Sequence, residues 1–401
     1  MRHSLLSKFQ GVLLGSALGD LIGDRYQSQL LGISRQTEGW RPIFKLTKHQ
    51  KLPINGMMSE LKSVNGKVQI GKNSSECGRL AVACAKSLIR CNGLDLKDWH
   101  DTWEVFAKSE HYQQQIAECQ SILYPGEAAV AALPAAMFFH ENQAKLREKL
   151  MLATEVWQNQ NAPEWETGVL AVGYAIARSL KDKLDPATAI VNTITYLGTD
   201  NALTELLSQV QMLLEQGADL ERAVNHLCKS GTAWQTRQSQ GEKKSQTNSI
   251  VNPTSFIPIA IAFYCFLSTP EDLRLSVVRA ARCGAGQLTC ALTGALSGAY
   301  NGTVAIPVEW RQAPRAGVES VVSDEGGESS VWGTSSDAKI VELANNLFAV
   351  WAGVYTPSDG ARSAARFRVV TAPYVIRPHL SSFEMVREGQ ASIGKFPDLP
   401  R

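Results

Sequence analysis

The stretch from Ala281 to Gly302 holds the residues best suited to bind a ligand, because it is rich in glycine, alanine and other small residues. Gly284 and Gly286 form a loop that leads into a predicted helix, and the N-terminus of such a helix is a natural anion site. The sequence G-A-G-Q-L-T lacks the lysine of a phosphate-binding P-loop. Positions 281 to 300 also contain no Asp or Glu, so this segment supplies no carboxylate for acid–base chemistry or for a hard metal ion.

Nucleophilic and thiolate chemistry have little support elsewhere in the chain. There is no G-x-S-x-G motif, and the seven histidines lie in no recognisable catalytic context. The eight cysteines form no C-x-x-C pair, which argues against a zinc site or a disulfide framework and for a reducing compartment. Cys77, Cys84 and Cys91 recur every seven residues and share a face if that segment is helical. Buried packing and redox sensing both fit that spacing.

Composition places the chain among soluble globular proteins. Its 401 residues are enough for one large core, and 44% apolar and 19% charged residues are ordinary values. A net charge of +2 gives no general argument for nucleic acid or a membrane surface as a partner. The longest apolar runs, 11–19 and 256–267, are too short to span a bilayer, although the first has the form of a signal peptide.

Glycine spacing predicts how the elements around the ligand-binding stretch pack. Each glycine costs a helix interior about 1 kcal/mol relative to alanine, so several in one helix indicate close approach of another backbone. We therefore predict a central buried helix within 281–302. A second helix is predicted over 5–23, where Gly11, Gly15 and Gly19 repeat every four residues and leave one smooth face. Further helices are predicted over 74–91, 96–122, 144–160, 163–180, 186–196, 201–215, 218–229, 254–267, 270–283 and 338–354.

Polar segments separate some of these helices. Residues 28–72 are predicted to form a long surface loop, residues 230–250 a flexible polar loop, and residues 311–337 a linker. Trp234 is the lone tryptophan of the polar loop, where it either anchors a partner or packs back on the body. Residues 355–401 form a net basic C-terminal tail.

Several of these segments together resemble the ADP-ribosylglycohydrolases. G-A-L-S-G-A-Y-N-G (294–302) followed by I-P-V-E-W (306–310) is similar to the family signature, and G-D-L-I-G (19–23) to its opening motif. Similar patterns occur over 124–139, 163–180 and 254–283. The resemblance implies an all-α fold, a single large orthogonal helical domain over 1–354 that is closed by the helix at 338–354, and a cytoplasmic protein with no membrane span.

The resemblance also implies where the family would bind two magnesium ions, and this sequence departs from the family there. The family's two aspartates in G-G-D-T-D-T fall on Ala285 and Gln287, and the last threonine falls on Leu288. Its catalytic glutamate falls on Gln27, and its T-D-D-T tetrad on 75–78, where only Glu76 is a carboxylate. The resemblance thus implies a vestigial pocket at Asp20, Gln27, Glu76, Cys77, Glu127, Glu166, Ala285 and Gln287, with no cofactor.

Three functional hypotheses follow. The first is a catalytically inactive relative that acts as a binding, regulatory or scaffolding protein, with a protein partner and with a nucleotide-like ligand as a candidate for the pocket. The second is an enzyme that removes ADP-ribose from proteins or small molecules by a metal-independent or altered mechanism, as an N- or O-glycoside hydrolase. It would use paired carboxylates such as Glu76 and Glu166. The third is a subunit of a larger assembly whose pocket has filled with side chains.

Overall fold

The structure is a computed structural model that describes most of the helical core. The described residues are 3–33, 76–107, 124–155, 164–198, 200–241, 253–283, 286–312, 332, 334 and 336–354. Within these ranges the chain forms α-helices and two short 3₁₀ turns and contains no β-strand. The predicted all-α fold is therefore confirmed. The loop predicted over 28–72 is wrong at its start, because the first helix continues to Ile33. Residues 34–72 and the basic tail at 355–401 lie outside the described residues.

The helices are numbered in chain order. They are α1 (Leu5–Ile33), α2 (Glu76–Cys91), α3 (Leu96–Ala107), α4 (Pro125–Ala131), α5 (Leu133–Phe138), α6 (Gln143–Glu155), α7 (Glu164–Leu180), α8 (Ala189–Leu197), α9 (Ala202–Glu215), α10 (Leu220–Gly241), α11 (Ile257–Ser268), α12 (Leu273–Ala281), α13 (Gly286–Asn301), α14 (Val308–Gln312) and α15 (Asp337–Trp351).

The two glycine-rich helices, α1 and α13, pack backbone against backbone at the centre of the molecule. A Cβ added to Gly15 would lie closer than 3.0 Å to the carbonyl oxygen of Gly294, and a Cβ on Gly294 would meet the carbonyl of Gly15 equally closely. Gly11 and Gly298 form the same kind of reciprocal pair one turn further along. The prediction that glycine marks close backbone approach is confirmed here, and the contact fixes the relative position of the two helices.

Helix α1 is longer than the predicted helix over 5–23, because it continues to Ile33. By length and composition alone, its segment Leu5–Tyr26 is long and apolar enough to cross a membrane. In this structure, 72% of an 18-residue stretch of that segment is buried inside the protein. A core helix surrounded by other helices passes the same test. The burial of α1 against α13 accounts for this composition without a lipid phase.

The remaining helices surround this pair. Helices α7, α11 and α12 pack against α13, and α15 packs against both α1 and α2. Phe348 of α15 meets Phe9 of α1 edge to face with ring centroids 5.3 Å apart, and Gln10 donates a 2.7 Å hydrogen bond to Asn345. Helix α15 therefore closes the fold, as predicted for 338–354, with bounds of Asp337–Trp351.

Two predictions about polar segments need correction. The loop predicted for 230–250 is wrong over its first half, because α10 continues to Gly241. Ala223, Val224 and Leu227 are buried in the first half of α10, and the sequence that follows contains Gln, Arg and Ala, which have favourable helix propensities. The linker predicted for 311–337 also differs from the structure at its described end, because Trp332 is only 2% exposed. Residues 242–252 and 313–331 lie outside the described residues.

Candidate functional site

The N-terminal turn of α13 carries the positions at which the family's metal-binding aspartates are expected. Gln287 and Leu288 are partly buried there, and Ala285 lies outside the described residues. Gly23 of α1 approaches this turn so closely that an added Cβ would lie 2.5 Å from the Cα of Gln287. The first turn of α13 is thus covered by the α1 backbone on one side.

Leu288 fills the other side of this turn. A Cβ built on Gly126, at the start of α4, would lie 2.9 Å from Cδ2 of Leu288 and 3.4 Å from Cδ1 of Leu292. The Leu288 side chain therefore packs directly over Gly126. Where the family pattern expects a threonine hydroxyl on α13, this protein has an apolar contact.

Asp20 is the one family-matched carboxylate on α1, and it binds a tryptophan. Its side chain is 5% exposed, and its Oδ2 accepts a 3.0 Å hydrogen bond from Nε1 of Trp332. Asp20 also lies close enough to Cys290 of α13 to act on its thiol electrostatically. Burial is the main reason why the pKa of Cys290 is raised well above its ordinary value, so this thiol is protonated and unreactive at neutral pH.

Trp332 reaches from α1 to the start of α2. A Cβ on Gly78 would collide with the indole ring of Trp332, so only glycine at position 78 leaves room for the ring. Cys77, the neighbouring family-matched residue, is 6% exposed. The indole thus occupies the space between Asp20 and the first turn of α2, where the family pattern expects metal-binding side chains.

Charged and phenolic side chains follow Gly23 in α1, at positions 24–26. Burial raises the pKa of Tyr26, and the guanidinium of Arg282, which hydrogen bonds to Tyr26, opposes that effect. Burial likewise raises the pKa of Asp24, and the neighbouring Arg25 lowers it. The C-terminal end of α12 is thus held against α1 by the contact between Arg282 and Tyr26.

Glu127 is the family-matched carboxylate of α4, and its role in the structure is local. Its Oε2 accepts a 2.9 Å hydrogen bond from the backbone N–H of Tyr124, in a capping box at the start of α4. Burial raises the pKa of Glu127, and the bond from Tyr124 partly lowers it. These contacts account for Glu127 as a helix cap.

Three predicted site residues have backbones within described helices, but their side chains lie outside the described part of the structure: Gln27 in α1, Glu76 in α2 and Trp234 in α10. Glu166 of α7 is partly buried and has interaction partners. Two residues later, Gly168 packs against Pro125 of α4, since an added Cβ would lie 3.0 Å from the Pro125 carbonyl oxygen. The predicted pairing of Glu76 with Glu166 stays a prediction.

A shallow cleft of 420 Å³ opens on the outer side of Trp332. Its floor includes Val82 and Trp332, and its rim includes Arg79, Lys86 and Arg90. Arg90 is already paired, because its guanidinium binds the Asp98 carboxylate with nitrogen–oxygen distances of 2.6 and 2.9 Å. The positive charge of the rim is therefore partly neutralised within the protein.

The described residues do not fit the magnesium site that the family implies. Magnesium requires near-octahedral oxygen ligands, whereas Leu288 presents methyl groups and Trp332 presents an indole ring at two of the expected positions. Within the described ranges, no cluster of three or more His, Cys, Asp or Glu side chains could hold a metal ion. No metal-dependent step is derived for this protein.

Sequence reasoning missed Trp332, which belongs to no recognised motif and stands alone in a polar segment. The available signal was a lone tryptophan five residues before the closing helix. Trp332 links Asp20 to the start of α2, and Leu288 links the first turn of α13 to the start of α4; the predicted vestigial pocket as a whole stays a prediction.

Comparison with known proteins agrees with this architecture. The family model described as ADP-ribosylglycohydrolase matches residues 1–354. A solved structure described as an ADP-ribosylglycohydrolase-related protein complex matches with 15% identity and a TM-score of 0.52, over 87% of this chain and 99% of that chain. At that identity the likeness shows the fold alone. A comparison with curated proteins finds no match. Because the family model covers well over half of its length, the chain belongs to the ADP-ribosylglycohydrolase family.

Proposed function

We propose that this protein is a catalytically inactive member of its family that acts through binding, as a regulatory or scaffolding protein. The observation that carries the proposal is the first turn of α13, which has no carboxylate and packs Leu288 over Gly126. Two metal ions about 3.5–4 Å apart need several hard oxygen ligands. An apolar contact at that point removes the ligands and also the space for the ions.

The carboxylates that remain support the same proposal. Asp20 is engaged by Trp332, and Glu127 caps α4. A general acid or base needs a proton-transfer path to the reacting atom of its substrate, and both groups are directed into the protein's own hydrogen bonds. An altered, metal-independent glycohydrolase would depend on paired carboxylates such as Glu166 and Glu76.

A thermal melt of the whole protein with magnesium, with ADP-ribose and with both tests this proposal. A ligand that binds the native state at a hundred times its dissociation constant adds about 2.7 kcal/mol and raises the midpoint by a few degrees. Calcium and ADP serve as controls for non-specific effects of a divalent ion and of a nucleotide. We expect no midpoint shift with magnesium and no release of ADP-ribose from a modified protein substrate.

The outcomes separate the hypotheses. A shift that requires magnesium, or measurable hydrolysis of a modified substrate, would overturn the inactive assignment. Hydrolysis without magnesium that is lost in Glu166→Gln would favour the altered glycohydrolase instead. A shift with ADP-ribose alone would identify the pocket as a nucleotide-binding site in a non-catalytic protein.

A further inference from the structure

Three cationic side chains converge on the C-terminal end of α7. Arg178 and Lys181 are neighbours on one helical turn, because the backbone N–H of Lys181 still donates to the carbonyl of Ala177 at 3.3 Å. Lys183 returns to the same turn, since its backbone N–H donates to the carbonyl of Arg178 at 2.9 Å. Asp182 between the two lysines has a φ of +53°, the left-handed conformation that commonly ends a helix. The backbone itself thus holds the three cations near one another.

The carboxylate within this turn, that of Asp182, is engaged by a cation from another helix. Nζ of Lys8, on α1, donates to the Asp182 carboxylate and to the Ser179 carbonyl. From the turn after α5, the backbone carbonyl of Glu141 accepts a 3.1 Å hydrogen bond from Nζ of Lys181, and the Glu141 carboxylate also attracts that amine. The charge of Lys181 is therefore only partly balanced by the groups around it.

These surroundings favour the neutral form of the Lys181 amine. Burial lowers the pKa of Lys181, and repulsion from the cations of Lys183 and Arg178 lowers it further. The Glu141 carboxylate opposes both effects. A neutral amine is the nucleophilic form of lysine, and Lys181 is partly exposed, so a reagent in solution can reach it. Lys8 differs on both counts, because it is 2% exposed and paired with a carboxylate.

We propose that Lys181 is a site of acylation by small acyl thioesters. The lone pair of Nζ forms a bond to the carbonyl carbon of the thioester, the carbon–sulfur bond breaks, and the leaving thiolate takes up the proton that nitrogen loses. The product is a neutral amide whose remaining N–H can still donate to the Glu141 carbonyl. Acylation removes one of three neighbouring positive charges and relieves their repulsion without loss of this hydrogen bond. The modification involves none of the residues of the vestigial pocket.

Labelling of the whole protein with the acetyl thioester of N-acetylcysteamine, followed by peptide mass spectrometry, tests this site. Lys97, which is exposed on α3, is the internal reference, and labelling of the buried Lys8 would report unfolding. We expect the labelling rate of Lys181 relative to Lys97 to fall about threefold between pH 7 and pH 10, because each unit by which two pKa values differ changes the ratio of free amines about tenfold at low pH. The difference in access cancels, since it is the same at both pH values. A ratio that stays constant with pH, or no acylation of Lys181 while Lys97 is labelled, would overturn the proposal.

A matched pair of variants tests the role of the neighbouring cations. Arg178→Gln removes one of them, so the fall in relative labelling of Lys181 with pH should become smaller. Arg222→Gln removes an exposed arginine of α10 and should leave the fall unchanged. An unchanged fall in Arg178→Gln, or an equal change in both variants, would show that the cation cluster does not control this amine and would contradict the proposal.

Discussion

Replacing Gly294 with alanine tests whether direct backbone contact between α1 and α13 organises the fold. The added Cβ would lie closer than 3.0 Å to the carbonyl oxygen and carbon of Gly15. Backbone atoms cannot rotate away as a side chain does, so the two helices must separate along their shared face. That movement would disturb Gly23 and Asp20 on α1, and with them the contacts around the first turn of α13.

Two opposing effects set the size of the change. An extra methyl group in a well-packed core costs about 1–3 kcal/mol, and a contact with backbone belongs at the upper end of that range. Alanine in place of glycine regains about 1 kcal/mol of helix propensity. We therefore expect Gly294→Ala to lower the free energy of unfolding by about 2 kcal/mol, and Gly15→Ala to do the same from the other side of the contact.

Gly231→Ala is the matched control. Gly231 also lies inside a long helix, α10, but its nearest neighbour is the tip of a flexible side chain, Cδ1 of Ile257, at 3.0 Å from an added Cβ. Ile257 can shift by a few tenths of an ångström, so the gain in helix propensity should leave this variant about as stable as the wild type.

Thermal and urea unfolding followed by circular dichroism at 222 nm measure the difference. With an unfolding entropy of about 2.1 cal/mol/K per residue, a loss of about 2 kcal/mol lowers the midpoint of a chain this size by about 2 °C. If Gly294→Ala melts at or above the wild-type temperature, or if Gly231→Ala is equally destabilised, the helices are not held by direct backbone contact and the packing argument is wrong.

Two further predictions concern groups outside the glycine interface. Burial raises the pKa of Glu127, so the folded state binds a proton at this carboxyl more tightly than the unfolded chain does. Protonation of Glu127 therefore stabilises the folded state fully below the unfolded pKa, and this stabilisation is lost as the pH rises through the folded pKa. Glu127→Gln keeps an oxygen for the Tyr124 N–H, so urea unfolding should show it gaining stability relative to the wild type between pH 4 and pH 7, and an unchanged difference would contradict this. Lys8 is 2% exposed, and its Nζ donates hydrogen bonds to the Ser179 carbonyl and the Asp182 carboxylate. Asp182→Asn leaves this buried ammonium without its counter-charge, so it should lower the free energy of unfolding more than Lys8→Met does. The reverse order in the same urea assay would contradict this reasoning.

The packing of α1 against α13 could be predicted from the sequence because the spacing of glycines and other small residues restricts how closely two helices can approach. Glycines four residues apart on α1 and the small residues of α13 predict close approach, and the structure brings the two sets into reciprocal contact. The cap of α9 is equally local, although it was not predicted: Asn201 accepts hydrogen bonds from the backbone N–H groups of Leu203 and Thr204. Each of these features involves residues whose types alone restrict the possible geometry.

The contact of Trp332 with Asp20 and Gly78 could not be predicted in the same way. Trp332 is separated from Asp20 by 312 positions in sequence, and no periodicity links it to Gly78. A tryptophan in a polar segment is compatible with a linker, a partner anchor or a core contact, and only the fold decides among them. The second half of α10 was missed for a different reason: its sequence is polar and has no periodic apolar residues that would predict a helix.

Family membership and catalytic chemistry depend on separable parts of this structure. The glycines of α1 and α13 are required for two backbones to meet, whatever the site beside them does, because any side chain at Gly15 or Gly294 would collide with the opposite helix. The resemblance places the ligands of a metal pair on the first turn of α13 and on α1 and α2, where Leu288 packs over Gly126 and Trp332 packs against Gly78. Replacing polar ligands with well-packed apolar groups is often neutral or stabilising, so the fold gives no reason for such a site to be retained once its chemistry is dispensable. A signature built from glycine therefore predicts how the chain folds, and the residues between the glycines predict whether it can react.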